Sequence, residues 1–179
     1  MLHHAIEFST LAHKGQVRKA TGIPYIVHPC EVAVILAQAG ACTEVICAGM
    51  LHDTVEDTDI TIDEIRKEFG NRVADLVWER TEDKTLSWEA RKQNTINSVK
   101  SMDPKDSLDS MLIVCADKLA NVRSMKADYE RIGEELWHRF RRGKEYQKWY
   151  YKEIVLALSS LSSYSMYQEL KQLVLELFC

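Results

Sequence analysis

Helix breakers are scarce in this chain, with three prolines and seven glycines in 179 residues. So few interruptions leave long stretches free to stay helical, and apolar residues recur at spacings of three and four, which predicts an all-α fold. Long hydrophobic runs are missing as well, so no segment is expected to span a bilayer. The first residues, Met1-Leu2-His3-His4-Ala5-Ile6-Glu7, have neither the basic region nor the apolar run of a secretory signal. The five cysteines, Cys30, Cys42, Cys47, Cys115 and Cys179, form no C-x-x-C pair and are odd in number. That argues against a disulfide framework and for reduced, mostly buried thiols in a cytoplasmic protein. Positive charge is also short. With 23 Lys and Arg against 27 Asp and Glu, the formal charge of −4 gives no general footprint for nucleic acid or an anionic membrane. Any anionic ligand must be drawn by a local basic cluster or a metal. What is present is ordinary for a globular protein: 46% hydrophobic and 28% charged residues, and a length that predicts one domain spanning residues 1–179.

The periodicity places a first helix from Leu2 to about His13, then an irregular stretch from Lys14 to His28 broken by Gly15, Gly22 and Pro24. Pro29 suits the first turn of a second helix that stops at Gly40. Thr43 is read as the cap of a third helix, which delivers His52 and Asp53 at its end. Thr61-Ile62-Asp63-Glu64 is a capping-box pattern for a short helix closed at Gly70. A helix from about Arg72 to Arg80 follows, then a polar loop from Thr81 to Leu86, and Ser87 can cap a helix from Trp88 to Met102. After Asp103-Pro104 a long helix is predicted from about Ser107 to Lys126, with two more from about Lys144 to Leu161 and Tyr164 to Phe178. The stripe Leu170, Leu173, Val174 and Leu177 reads as packing, with a homo-oligomer face as the alternative.

The densest chemistry lies in His52-Asp53-Thr54-Val55-Glu56-Asp57. If this segment is helical, Glu56 lies over His52 and Asp53, and Asp57 over Asp53. The chain carries no Lys or Arg between Lys19 and Arg66, so this knot of negative charge has no basic partner near it in sequence. A bound divalent cation would resolve the repulsion; an exposed acidic turn is the plainer alternative. His28 precedes Pro29 at a helix entrance, and Asp117 follows the apolar run Leu112-Ile113-Val114-Cys115-Ala116. A buried Asp is rare unless paired or bound to metal. Lys118 is adjacent and expected to point elsewhere, and Arg123 is off the favourable spacing, so a salt bridge is disfavoured as the explanation. His28, His52, Asp53 and Asp117 together offer two imidazoles and two carboxylates. That set suits Mn²⁺ or another borderline-to-hard divalent ion with positions left for water and substrate.

These residues resemble the metal ligands of the HD-domain phosphohydrolase superfamily, an all-α helical bundle with a metal site. Four blocks in order narrow the resemblance: Gly15-Gln16-Val17-Arg18-Lys19, Gly22-Ile23-Pro24-Tyr25-Ile26-Val27-His28-Pro29, His52 to Thr58, and Ala116-Asp117-Lys118-Leu119-Ala120-Asn121-Val122-Arg123. Together they are similar to the hydrolase domain of Rel/Spo-type alarmone enzymes, over most of the stretch from Ala12 to about Leu161. The chain has no room for the synthetase and regulatory domains of the long members, so it resembles a small alarmone hydrolase. The resemblance implies Mn²⁺-dependent hydrolysis of guanosine 3′,5′-bis(diphosphate), or its 5′-triphosphate form, to pyrophosphate and GDP or GTP. It implies Glu56 and Asp57 as the groups that orient and deprotonate water, and Arg18, Lys19 and Asn121 as nucleotide contacts. The partner it implies is a small-molecule nucleotide rather than a nucleic acid or membrane. The rivals are a hydrolase of the same architecture acting on another nucleotide, such as a 5′-nucleotidase or dinucleotide phosphatase, and a nucleotide sensor without catalysis. Thr81-Glu82-Asp83-Lys84 with Arg91-Lys92 resemble a loop near the nucleotide, with a solvated loop as the alternative. The run from Arg139 to Lys144 reads as a solvated helix end, Tyr146 matches a family tyrosine position, and His13 reads as a hydrogen-bonded structural histidine.

Overall fold

Helices form largely where the periodicity places them, and side-chain caps open two of them, at Thr61 and Ser87. The computed structural model describes residues 1–18 and 21–178, and these hold α1 (Leu2–Ala12), α2 (Val27–Gln38), α3 (Thr43–Leu51), α4 (Thr54–Asp57), α5 (Ile62–Phe69), α6 (Asn71–Trp78), α7 (Trp88–Ser101), α8 (Leu108–Ile132), α9 (Gly143–Ala157) and α10 (Ser165–Phe178). The fold is all-α, as expected; among the described residues the sole β feature is an isolated bridge between Val17 and Pro24. The capping box that opens α5 forms in full: Thr61 Oγ1 accepts the Glu64 N–H, and Glu64 Oε2 accepts the Thr61 N–H at 2.8 Å. Ser87 Oγ likewise accepts the Ala90 N–H at the start of α7. Thr43 does not cap α3. Cys42 occupies the cap position without a side-chain bond, and Thr43 is already helical. A further correction is the segment Gly133–Arg139, a 3₁₀ helix that the periodicity left unassigned, because i,i+3 turns carry no 3.6-residue signature.

α8 is the spine of the bundle. Its residues from Ser110 to Ala116 are all buried, as are Leu119, Ala120, Val122 and Met125. α2 and α3 pack on one another and on α8, while α10 packs along α8 and α9. Burying side chains of this size is worth roughly 1.5–3 kcal/mol each, so the helices that carry the site residues are held by the centre of the core. Leu170, Val174 and Leu177 are buried and Leu173 packs against the core, so the stripe on α10 is spent on internal packing. Cys47 and Cys115 are buried and unpaired, as read; Cys42 is exposed, against expectation. Among the described residues no helix is long and apolar enough to cross a membrane.

The α2–α3 approach sets a sharp packing limit. A Cβ at Gly49 would lie 2.3 Å from Leu36 Cδ1 and 3.2 Å from Val32 Cγ1, and both side chains are fully buried. Gly49→Ala is therefore expected to destabilise the protein by about 1–3 kcal/mol through overpacking, read as a drop in the denaturant midpoint at unchanged m-value.

Candidate metal centre and cleft

His28 enters from the first turn of α2, His52 and Asp53 from the junction of α3 and α4, and Asp117 from the middle of α8. One helix does not run through the central motif. α3 ends at Leu51 and α4 begins at Thr54, with Thr54 Oγ1 donating to the Leu51 carbonyl at 2.6 Å. The helix is interrupted at His52 and Asp53, yet the Asp57 N–H donates to the Asp53 carbonyl at 2.9 Å, so Asp57 follows Asp53 by one helical turn as expected. His52 Nε2 lies 3.1 Å from Asp53 Oδ2 and 3.8 Å from Asp117 Oδ1, while His28 Nε2 lies 3.6 and 3.2 Å from the same two oxygens. Ligand-type atoms of His28, His52 and Asp53 all fall within 4.8 Å of one another.

The donor set fits a divalent cation. The Nδ1–H of His52 donates to the Gly49 carbonyl at 2.8 Å, which aims Nε2 at the two carboxylates, where it is buried and makes no satisfying hydrogen bond. Burial opposes a charge on His52, but Asp53 and Asp117 outweigh it and push its pKa to about 9. Burial would raise the Asp53 and Asp117 carboxyls, yet the two histidines, and Lys118 beside Asp117, hold both well below the usual range. In the metal-free protein a charged His52, with Lys118 beside Asp117, offsets the charge of the two carboxylates. Outer partners fix those carboxylates. Tyr25 donates its hydroxyl to Asp53 Oδ2 at 2.6 Å, and burial together with Asp53 raises its pKa, so it stays a donor. Asn121 Nδ2 donates to Asp117 Oδ1 at 2.6 Å, and Lys118 pairs with Asp117 Oδ2. This last contact corrects the expectation for Lys118, because helical spacing ignores how far a four-carbon stem can curl. Arg123 does pair elsewhere, with Glu169 and Glu31.

The cluster lies in a cavity of about 450 Å³ that also holds Glu56, Asp57, Arg80, Arg91 and Lys92. A second hollow of about 1100 Å³ shares Tyr25, Asp57, Leu86, Arg91 and Asn121 with the first, which makes one cleft of two lobes. Arg18 lines the larger lobe, and its Nη2 donates to Asn121 Oδ1 at 3.3 Å. Lys19 lies outside the described residues. The Thr81–Leu86 loop reaches the acidic motif through Glu82 and Lys84, while Asp83, Thr85 and Leu86 are exposed. The Glu82 N–H donates to Glu56 Oε2 at 3.2 Å, and Lys84 Nζ donates to the Glu56 carbonyl and to Asp57 Oδ1. Arg91 and Lys92 both bind Glu82. Burial raises the pKa of Glu56.

Arg139, Arg141 and Arg142 line the larger lobe, with Arg141 and Arg142 exposed as a solvated helix end would be. Tyr146 is exposed with its ring near Trp88, outside the lining of either lobe, and Tyr151 lines the larger lobe instead. His13 is hydrogen-bonded as read, its Nδ1 2.9 Å from Gln16 Oε1, and Gln16 Nε2 donates to the Asp57 carbonyl at 2.7 Å. Sequence reasoning missed Gln16 and Tyr25 as supports, although both stand inside the blocks that carry the resemblance.

A family profile described as HD domain matches residues 5–142. The human guanosine-3′,5′-bis(diphosphate) 3′-pyrophosphohydrolase MESH1 is 40% identical over 151 residues, 83% of this chain and 79% of that protein. The zebrafish (Danio rerio) protein of the same name is 37% identical over 179 residues, 98% and 93% of the two chains. A solved structure described as a metazoan ortholog of SpoT that hydrolyses ppGpp superposes with a TM-score of 0.80 at 25% identity, covering 98% of this chain and 94% of its own.

Proposed function

The chain belongs to the HD-domain family and, within it, to the MESH1-type pyrophosphohydrolases, and we propose that it hydrolyses the 3′-diphosphate of guanosine 3′,5′-bis(diphosphate) or its 5′-triphosphate form. The products are pyrophosphate and GDP or GTP, and one domain, residues 1–179, carries the activity. The observation that supports this most is the convergence of His28, His52, Asp53 and Asp117 beside Glu56, at the point where a small polar cavity opens into a larger lobe bearing Arg18 and Arg139. These four residues would hold a divalent ion, and the mixed imidazole–carboxylate set suits Mn²⁺. When bound, the ion supplies positive charge that polarises a phosphoryl oxygen and acidifies a neighbouring water. Glu56 takes the proton of the attacking water, and Asp57, held by Lys84, helps to position that water. The water oxygen bonds to the phosphorus attached to the 3′ oxygen, that P–O bond breaks, and the 3′ oxygen leaves with the nucleotide and picks up a proton. Unpaired Cys47 and Cys115 support a cytoplasmic enzyme.

The test uses metal-stripped protein, Mn²⁺ returned, and a panel of 3′-diphosphate nucleotides, 5′-mononucleotides and dinucleotides. Pyrophosphate from the 3′-diphosphates alone is the expected result, and orthophosphate from a 5′-mononucleotide would overturn the reading. Arg18 serves binding in this account, since its guanidinium reaches the nucleoside lobe and not the ligand cluster. Arg18→Ala should raise KM far more than it lowers kcat, and Arg18→Lys should rescue little, because an ammonium cannot stack on a base as a planar guanidinium does. Steady-state kinetics on the two variants separates these outcomes from a collapse of kcat at unchanged KM.

A further inference from the structure

Arg80 is buried without a use. It follows α6, where its backbone N–H donates to the Val77 carbonyl at 3.0 Å, and its side chain is only 8% exposed. Among the described residues four Lys and Arg side chains line the metal cavity: Arg80, Arg91, Lys92 and Lys118. Three of them have a carboxylate within 3.0 Å, namely Glu82 for Arg91 and Lys92, and Asp117 for Lys118. The nearest carboxylate to Arg80 is that of its neighbour Glu79 at 3.8 Å, and Glu79 already accepts the Ser110 hydroxyl. Among the described residues Arg80 makes no side-chain hydrogen bond, and its Nε is fully buried and unsatisfied. With Nε shut off from water and unpaired, the charge of Arg80 is incompletely met until a ligand engages its fork. The fork of an arginine fits a phosphoryl group in two-point contact, which sets it apart from the two lysines beside it.

We propose that Arg80 is a specificity-determining residue that binds the terminal phosphoryl of the substrate's 3′-diphosphate, so that the cavity selects a diphosphate over a monophosphate at that position. This rests on the pyrophosphohydrolase reading above. With the attacked phosphorus beside the His28, His52, Asp53 and Asp117 cluster and the nucleoside in the larger lobe, the second phosphoryl falls in the 450 Å³ cavity, where Arg80 is, among the described residues, the lining cation without a hydrogen-bonded carboxylate. Lys118 and Lys92 add positive charge on the same side but are committed to Asp117 and Glu82.

The experiment compares wild type, Arg80→Met, which fills a similar volume, and Arg80→Lys, which keeps the charge. Thermal melting first verifies folding. Calorimetry on the Mn²⁺-loaded protein, with free metal held in excess, then measures inorganic pyrophosphate against orthophosphate. Pyrophosphate affinity should fall about 10–100-fold in Arg80→Met, the weight of a charge-assisted hydrogen bond, with partial recovery in Arg80→Lys and orthophosphate affinity little changed. In turnover, kcat/KM should fall by a similar factor for a 3′-diphosphate nucleotide and stay near wild type for the matching 3′-monophosphate. Unchanged pyrophosphate affinity in Arg80→Met, or equal losses for both anions, would overturn the proposal. Pyrophosphate binding that depends on Arg80 in a wild-type protein that fails to hydrolyse the 3′-diphosphate would leave the subsite standing and remove the proposed reaction.

Discussion

The double variant His52→Ala/Asp53→Ala is expected to lose its metal and, with it, turnover down to the uncatalysed background. Both side chains stand at the α3–α4 junction and contribute the closest pair in the cluster, 3.1 Å apart. Removing them leaves His28 and Asp117, too few groups to hold a divalent ion against water. Metal analysis checks this directly, and melting gives a second readout. Mn²⁺ at about 100 times its Kd should stabilise the wild type by about 2.7 kcal/mol, a rise of about 5–10 °C for a chain of this length, and should leave the variant unmoved. The same site carries a pH signature. The His52 pKa is raised from 6.5 to about 9 in the folded protein, so its charge adds stability that is fully present below pH 6.5 and is lost as pH climbs through about 9. Metal must displace that proton, so Mn²⁺ affinity should strengthen between pH 7 and 9, with proton release measured by calorimetry in buffers of different ionisation enthalpy. Affinity that weakens over this range would contradict the placement of His52.

Glu56→Gln is expected to lower kcat by about 10²–10⁴ while metal occupancy and nucleotide binding persist. Glu56 is 16% exposed, accepts the Glu82 N–H, and shares its surroundings with Asp53, Asp57 and Glu82. Burial in that company raises its pKa, which makes it a stronger base than an exposed glutamate. A carboxyl whose folded pKa lies above its unfolded value binds protons more readily when folded, so stability falls as pH rises through that window. At neutral pH the metal-free Glu56→Gln protein should thus be at least as stable as wild type, because a strained negative charge has been removed. Lower turnover with equal or higher melting temperature separates loss of a base from general damage. If the variant loses its metal, Glu56 is a ligand; if it keeps near-normal turnover, another group activates the water.

Much of the site could be read from residues whose surroundings were wrong for any plain structural role. Asp117 behind an apolar run and the acidic knot at His52–Asp57 were both local conflicts that a shared ligand would resolve, and the structure brings them together, with His52 Nε2 3.8 Å from Asp117 Oδ1 and His28 Nε2 reaching both Asp53 and Asp117. The helices themselves followed from breakers and caps, as the complete box at Thr61 and Glu64 shows. What stayed hidden depended on long-range geometry. Tyr25 reaches Asp53, Gln16 reaches Asp57, and the Thr81–Leu86 loop reaches Glu56, each across dozens of residues with no periodic signal. Arg80 was invisible for a different reason: in sequence it is one more charge at a helix end, and its isolation exists only once Glu82 has taken Arg91 and Lys92.

The most direct measurement is anomalous diffraction at the manganese edge from crystals of Glu56→Gln soaked with Mn²⁺ and guanosine 3′,5′-bis(diphosphate). The account predicts one peak, enclosed by His28, His52, Asp53 and Asp117, with the 3′-diphosphate beside it and the nucleoside in the lobe that bears Arg18. A peak elsewhere, or a nucleotide that turns its 5′-diphosphate toward the metal, would contradict it.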